Sequence, residues 1–105
     1  MKLLYKNKLL KRSFATDKGL AKRYGTLAKK IKQRRIQLES ADNLAVISKF
    51  PVIRLHKHIG KKGIWSIAIN ENWRILFEIN QYPIPTLEEC RVDLEVITII
   101  KIKSV

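Results

Sequence analysis

The spacing of the apolar residues changes near Asp42, and this change constrains the fold more than any other feature of the sequence. Before it, apolar residues recur at helical spacing, with lysine and arginine at most positions between them: Leu20, Tyr24, Leu27, Ala28, Ile31 and Leu38. After it, β-branched and aromatic residues alternate with polar ones. A helical half followed by a strand-rich half predicts an α+β fold, with an N-terminal helical pair packed on one face of a mostly antiparallel sheet.

The helical half contains three predicted elements. The pattern predicts a short strand over residues 2–6 and a helix that runs through Phe14 with Asn7 as its N-cap. The basic amphipathic segment that follows is a single helix or a helical pair. Gly25 marks a possible break, with Thr26 capping a second helix that ends near Ser40.

Four further strands are predicted, over residues 53–57, 64–70, 73–79 and 91–103. The first three are joined by short turns and form a meander. Because side chains alternate between the two faces of a strand, Arg54, His56 and Arg74 are expected on the open face. Trp65 and Trp73 fall on the apolar faces, so a place in the core is expected for both.

The net charge of +13 is concentrated in the N-terminal part of the chain. Residues 1–38 contain 13 of the 22 basic residues and a single acidic residue, Asp17, whereas the remainder is nearly neutral. Such a concentration is typical of a protein that binds a polyanion, because neutralised phosphates release condensed counterions. The alternative is a solvated helix face that only maintains solubility.

The length and the cysteine content of the chain limit the classes of protein to which it can belong. With 105 residues the chain is expected to form a single domain over residues 1–105. Cys90 is the sole cysteine, so no internal disulfide is possible and a reducing cytoplasm is the expected location. The longest apolar run is residues 96–100, and lysines interrupt the first twelve residues, so neither a membrane span nor a signal peptide is expected.

The open-face residues are of the types that RNA cleavage without a metal needs. Such cleavage requires a group that takes the proton of the 2′-hydroxyl, a cation for the charge on the scissile phosphate, and an acid for the leaving 5′-oxygen. His56, Arg74 and the nearby Lys57, Lys61 and Lys62 are suitable. From the pattern alone, an ordinary strand histidine is the better explanation of His56.

A metal site is the other chemistry that the sequence allows. His56 and His58 point to one side of a strand, but only Cys90 or scattered carboxylates are available to complete a ligand set. We expect neither a metal nor a cofactor, and no phosphate-binding glycine loop occurs. Cys90 is expected to be structural.

Three segments in this order resemble a known family: Arg54-Leu55-His56, residues 60–67 (GKKGIWSI) and residues 72–77 (NWRILF). Together with the basic helical half, which opens on residues 5–10 (YKNKLL), they are similar to the HigB branch of the RelE/ParE superfamily of bacterial toxins. The resemblance covers nearly the whole chain. It implies a RelE-like fold and a metal-independent endoribonuclease that cleaves messenger RNA in the ribosomal A site.

The resemblance also implies roles and partners. His56 corresponds to an acid/base histidine and Arg74 to an arginine that stabilises the transition state, and RNA or ribosome contacts are expected from a further set: Arg54, Lys57, Lys61, Lys62, Lys29, Lys30, Arg34 and Arg35. A cognate antitoxin, expected to be a HigA-like helix-turn-helix protein, would silence the toxin. Operator DNA would be reached only through that antitoxin, and no membrane is involved.

Two departures from the family pattern bear on activity. The family often reads His-Pro-Leu-Lys-Gly where this chain has residues 56–60 (HKHIG), so Ile59 replaces the usual lysine and Lys57 or Lys61 would supply its charge. Many members end in Asp-Tyr-His, whereas this sequence ends at residues 101–105 (KIKSV). Either the sequence given is truncated before that tail, or this member is a weakened nuclease or works by other means.

Two other functions remain open at this point. A ParE-like poison of DNA gyrase would have the same fold and would not need His56. A non-enzymatic RNA- or ribosome-binding domain would use only the basic helices. These three functions differ in what they do to a cell: cleavage of ribosome-bound messenger, DNA damage signalling, or neither.

Overall fold

A computed structural model of the chain describes residues 1–61, 63–88 and 91–105. Along the chain, four α-helices follow the first strand and precede the other strands: α1 (Lys8–Ala15), α2 (Asp17–Tyr24), α3 (Ala28–Ser40) and α4 (Leu44–Ser48). Short 3₁₀ turns cover Gly25–Leu27, Pro51–Ile53 and Leu94–Val96. The strands are β1 (Lys2–Tyr5), β2 (His56–Lys57), β3 (Ile64–Ala68), β4 (Arg74–Ile79) and β5 (Ile99–Ser104).

The helix boundaries follow local capping chemistry. The Asn7 side chain accepts a hydrogen bond of 2.9 Å from the Leu10 amide and begins α1 as predicted, and Thr16 does the same for the Gly19 amide at α2. The break at Gly25 is confirmed, and its φ of +56° is a conformation that favours glycine. The predicted Thr26 cap is wrong: α3 continues directly from the 3₁₀ turn, and its N-cap residue is Leu27.

The five strands form one mixed sheet in the order β1-β5-β4-β3-β2. Three of the four described pairings are antiparallel, and only β1 with β5 is parallel. Buried residues of the helices and of one sheet face, including Phe14, Ile31, Leu38, Ile75 and Phe77, belong to a single hydrophobic cluster. The α+β class is therefore confirmed, as are the helices packed on a mostly antiparallel sheet and the meander β2-β3-β4.

Three strand predictions were too long, the one over residues 64–70 only by the two residues that follow Ala68. Residues 53–55 do not belong to β2: Pro51 begins a 3₁₀ turn, and Arg54, with φ +51° and ψ +57°, leaves it in the left-handed region. Residues 91–98 do not belong to β5, because Asp93 caps a 3₁₀ turn by accepting from the Glu95 amide. Alternation of apolar residues alone does not detect either turn.

The two tryptophans differ in burial. Trp65 is 9% exposed and lies in the core, as predicted. Trp73 is 49% exposed and precedes β4, so its prediction as a core residue is wrong. The reason is local: the Asn70 side chain accepts hydrogen bonds from the amides of Asn72 and Trp73, and this turn holds Trp73 at the rim of the sheet.

None of the described helices is both long and apolar enough to cross a membrane.

Candidate functional site

The strand register brings the predicted open-face residues together. His56 of β2 pairs with Ser66 of β3, which pairs with Leu76 of β4, while Arg74 pairs with Ala68. These positions share the sheet face opposite to that of Ile75 and Phe77, which are fully buried. The prediction that His56 and Arg74 share one face is confirmed.

A shallow groove of about 400 Å³ lies on this open face. It is lined by five residues: Arg54, Leu55, His56, His58 and Arg74. Arg54 reaches the groove although it is not in a strand, because its left-handed conformation turns the chain between the 3₁₀ turn and β2. Two arginines and two histidines thus converge on one surface.

Ser66 lies between Arg74 and His58, two of the lining residues, and is 0% exposed. Its Oγ accepts a hydrogen bond of 2.6 Å from Nε of Arg74 and lies 2.8 Å from Nε2 of His58. Nη2 of Arg74 donates to the carbonyl oxygen of Arg54 at 2.5 Å. The Arg74 guanidinium is therefore fixed at two points, and three of its five N–H groups remain for a ligand.

The two histidines are neighbours but differ in their surroundings. Their ring centroids are 5.0 Å apart at an interplanar angle of 74°. His56 is exposed, whereas His58 is partly buried and bonded to Ser66. The sequence analysis predicts His58 only as a candidate metal ligand. The sequence feature that indicates its place in this site is Ser66, a small polar residue in an otherwise apolar strand and on the same face as His56.

The groove is cationic. All four of its ionisable lining residues are basic, and no ion pair of the described residues involves Arg54, His56, His58 or Arg74. The pKa of His58 is lowered, first by burial and then by the positive charges of His56, Arg74 and Lys61. The pKa of Arg74 is lowered by burial and by Arg54. Such a site favours an anion over a further cation.

Two further grooves share a residue with the site. One, of about 430 Å³, shares Arg54 and is lined by Lys30 and Arg34 of α3 and by Asn70 and Glu71. The other, of about 550 Å³, shares His58 and is mostly apolar, with Ile59, Trp65, Ile79, Ile84 and Val92 in its lining. Lys57 also lines this second groove, and Lys57 and Trp65 belong to the opposite face of the sheet. A ligand longer than one phosphate group would therefore extend from the cationic groove towards α3.

The basic residues predicted on α3 differ in accessibility. Lys29 and Lys30 are exposed. Arg34 is 3% exposed; its Nε donates to the Ala68 carbonyl at 2.6 Å and its Nη1 to Oε1 of Gln37 at 2.9 Å. The expectation that Arg34 offers its charge to RNA therefore needs correction, because the guanidinium is already used inside the protein. Burial lowers the pKa of Arg34.

Arg35 is half-buried, and its Nε lies 3.8 Å from a carboxylate oxygen of Glu39 one turn along α3. Its charge is thus partly neutralised by its own helix.

The lysines predicted for RNA contact in β2 and in the segment after it also differ in position. Lys57 pairs with Trp65, and its Nζ lies 6.0 Å from the centroid of that ring, which places it on the face opposite to His56. Lys61 is exposed and contributes to the electrostatics of His58. Lys62 and Cys90 lie outside the described residues. Within the described part of the chain, no group of three or more His, Cys, Asp or Glu side chains is placed to hold a metal ion.

No protein-family model matches this chain, and no curated protein or solved structure is significantly similar to it.

Proposed function

We propose that this protein is a HigB-like toxin with a RelE-like fold, a ribosome-dependent endoribonuclease that cleaves messenger RNA in the A site. The observation that carries the proposal is the convergence of Arg54, His56, His58 and Arg74 in one groove without an acidic lining residue. RNA supplies phosphate anions that arginines bind, and its 2′-hydroxyl and leaving 5′-oxygen are groups with which a histidine can exchange a proton. Intracellular action follows from this proposal.

The geometry supports a division of roles. The free N–H groups of Arg74 would donate to the scissile phosphate and stabilise the charge that grows there, with Arg54 as a second cation. His56, which is exposed at the groove rim, would exchange a proton with the attacking 2′-hydroxyl or with the leaving 5′-oxygen. Lys61 is better placed than Lys57 to supply the charge that Ile59 lacks, because Lys57 lies on the opposite face.

The partners follow from the same proposal. Lys29 and Lys30 would contact phosphates of the ribosome or messenger, since both are exposed and Lys30 lines the groove that adjoins Arg54. A cognate antitoxin with an acidic segment would complement the net charge of +13 and associate quickly. DNA would be contacted only by that antitoxin.

The test uses Arg74→Ala and His56→Ala with Arg91→Ala as the matched control, because Arg91 is an exposed arginine outside the groove. Purified protein is added to programmed ribosomes, and both cleavage of the messenger and ribosome binding are measured. Each groove variant should cleave about tenfold to a thousandfold more slowly, the range for loss of one acid/base or electrostatic group, while ribosome binding changes only a few-fold. The control should cleave like the parent.

Three results would contradict the proposal. Both groove variants cleaving as fast as the parent would remove the groove from the reaction. Growth arrest with DNA damage signalling and intact messenger would indicate a gyrase poison. A parent protein that binds ribosomes but neither cleaves RNA nor arrests growth would indicate a binding domain.

A further inference from the structure

A polar chain of three side chains runs beneath the groove, from Arg74 through Ser66 to His58. Nε of Arg74 lies 2.6 Å from Oγ of Ser66, and the same Oγ lies 2.8 Å from Nε2 of His58. Ser66 has no exposed surface, so water does not compete for its hydroxyl. The positions of the hydrogens in this chain can be worked out from what each group is able to donate.

Arginine has no acceptor atom, so Nε–H of Arg74 must donate to Oγ of Ser66. The Ser66 hydroxyl then has its own hydrogen to give, and Nε2 of His58 is the acceptor within hydrogen-bond distance. Nε2 therefore carries a lone pair, and the hydrogen of the neutral imidazole is on Nδ1. If His58 became an imidazolium, Nε2–H would point at Ser66, and the buried hydroxyl hydrogen would lose its partner, which is unfavourable.

We infer that Ser66 is a positioning residue, which holds Arg74 in the groove and fixes His58 as a neutral imidazole protonated on Nδ1. His58 then presents only a hydrogen-bond donor to a ligand in the groove, whatever the pH near neutrality. Proton exchange falls to His56, which is exposed and has no such hydrogen bond with the residues that the structure describes. The assignment of the exchanging group rests on the proposed function, whereas the state of His58 does not.

The charges around His58 act in the same direction. The charged groups that influence His58 are His56 on β2, Arg74 on β4 and Lys61 in the turn after β2. All three disfavour a further positive charge on His58. On this face of the sheet, the register places the carboxylate of Glu78 on β4, opposite Ile64 of β3. It is engaged by Lys103 of β5 at 3.7 Å and by Lys101 at 4.0 Å.

The state of His58 can be measured on the protein alone. Long-range ¹⁵N–¹H correlation spectra of ¹⁵N-labelled protein, recorded over a pH titration, report the tautomer and the pKa of each histidine. We expect His58 in the Nδ1–H form at neutral pH, with a pKa below the ordinary value. A His58 found charged at neutral pH, or protonated on Nε2, would overturn the inference.

Substitution of Ser66 provides the second arm. Ser66→Ala should shift His58 towards the Nε2–H tautomer and raise its pKa towards the ordinary value, while Ser66→Thr, which keeps the hydroxyl, should restore both. Ser13→Ala is the matched control, since Ser13 is also buried but its hydroxyl bonds to the Leu9 carbonyl within α1. An unchanged His58 in Ser66→Ala would refute the role of Ser66. If that variant does not fold, the tautomer of the parent protein still decides.

Kinetics separate this inference from the proposed function. In ribosome-dependent cleavage, Ser66→Ala should be slower by about threefold to tenfold, as expected for loss of one hydrogen bond, with rescue by Ser66→Thr. One limb of the pH–rate profile reports the group that exchanges the proton. His56→Ala should remove this limb, whereas Ser66→Ala should retain it. If the limb persists in His56→Ala and disappears in His58→Ala, the assignment of His56 is wrong. A parent that cleaves no RNA would refute the proposed function and leave the spectroscopic result standing.

Discussion

The guanidinium of Arg34 replaces a missing strand partner, and its removal should destabilise the whole fold. The amide of Ile69 donates to the Trp73 carbonyl, so the alternation of an antiparallel ladder turns the backbone groups of Ala68 away from β4, towards the β2 side. Strand β2 has only two residues and does not reach the position opposite Ala68 of β3. Nε of Arg34 fills this position with a hydrogen bond of 2.6 Å to the Ala68 carbonyl.

The size of the effect follows from what is left unpaired. Arg34→Met keeps the apolar stem of the side chain but removes the donors to Ala68 and to Gln37. A buried carbonyl without a partner costs about 1–3 kcal/mol, and relief from holding a buried charge offsets part of this. We expect the free energy of unfolding to fall by about 2 kcal/mol, which lowers the urea midpoint by about 1 M for a protein of this size.

The assay is equilibrium urea unfolding followed by circular dichroism, with Lys30→Met as the matched control. Lys30 lies on the same helix and is exposed, so its substitution should change the stability by no more than about 0.5 kcal/mol. The reasoning is refuted if Arg34→Met is as stable as the parent, or if Lys30→Met loses as much. It is also refuted if Arg34→Met remains fully stable and loses only RNA binding.

Two further predictions concern surface charge and the rim of the sheet. At moderate salt, the double variant Lys29→Glu with Lys30→Glu should weaken ribosome association several-fold more than Lys101→Glu with Lys103→Glu, because phosphate contacts depend steeply on salt. Filter binding over a salt series measures this association, and equal losses in the two double variants would contradict the prediction. Phe77→Ala should cost about 3–5 kcal/mol of stability because the ring is fully buried, whereas Trp73→Ala, from a half-exposed position, should cost less than about 1 kcal/mol; thermal unfolding decides, and similar losses would contradict the assignment of Trp73 to the rim.

The elements that could be predicted from the sequence are those determined by local patterns. Asn7 and Gly25 signal a helix start and a helix break through capping and backbone conformation, and the alternation in 73–79 signals which face of β4 is buried. The same alternation placed His56 and Arg74 on one face, because side-chain direction in a paired strand depends only on the period of two.

The features that could not be predicted depend on contacts between distant residues. The burial of Arg34 depends on β2 being too short to reach Ala68, and the left-handed Arg54 depends on the turn that Pro51 begins. The role of Ser66 depends on Arg74 of β4 and on His58, which follows β2, each eight residues away in sequence. Composition showed that α3 is basic, but it could not distinguish an exposed Lys30 from a buried Arg34.

The short length of β2 connects the helical layer to the groove. Had β2 extended back along β3, the Arg54 carbonyl would be used in the sheet and Ala68 would not need Arg34. Because it does not, Arg74 can donate to the Arg54 carbonyl from one side while Arg34 donates to Ala68 from the other. Ser66 and Ala68 are two residues apart on β3, so the strand that carries Ser66 is held by an arginine of α3. Part of the basic charge of the helical half thus supports the groove from inside, and only the exposed part is available to a polyanion.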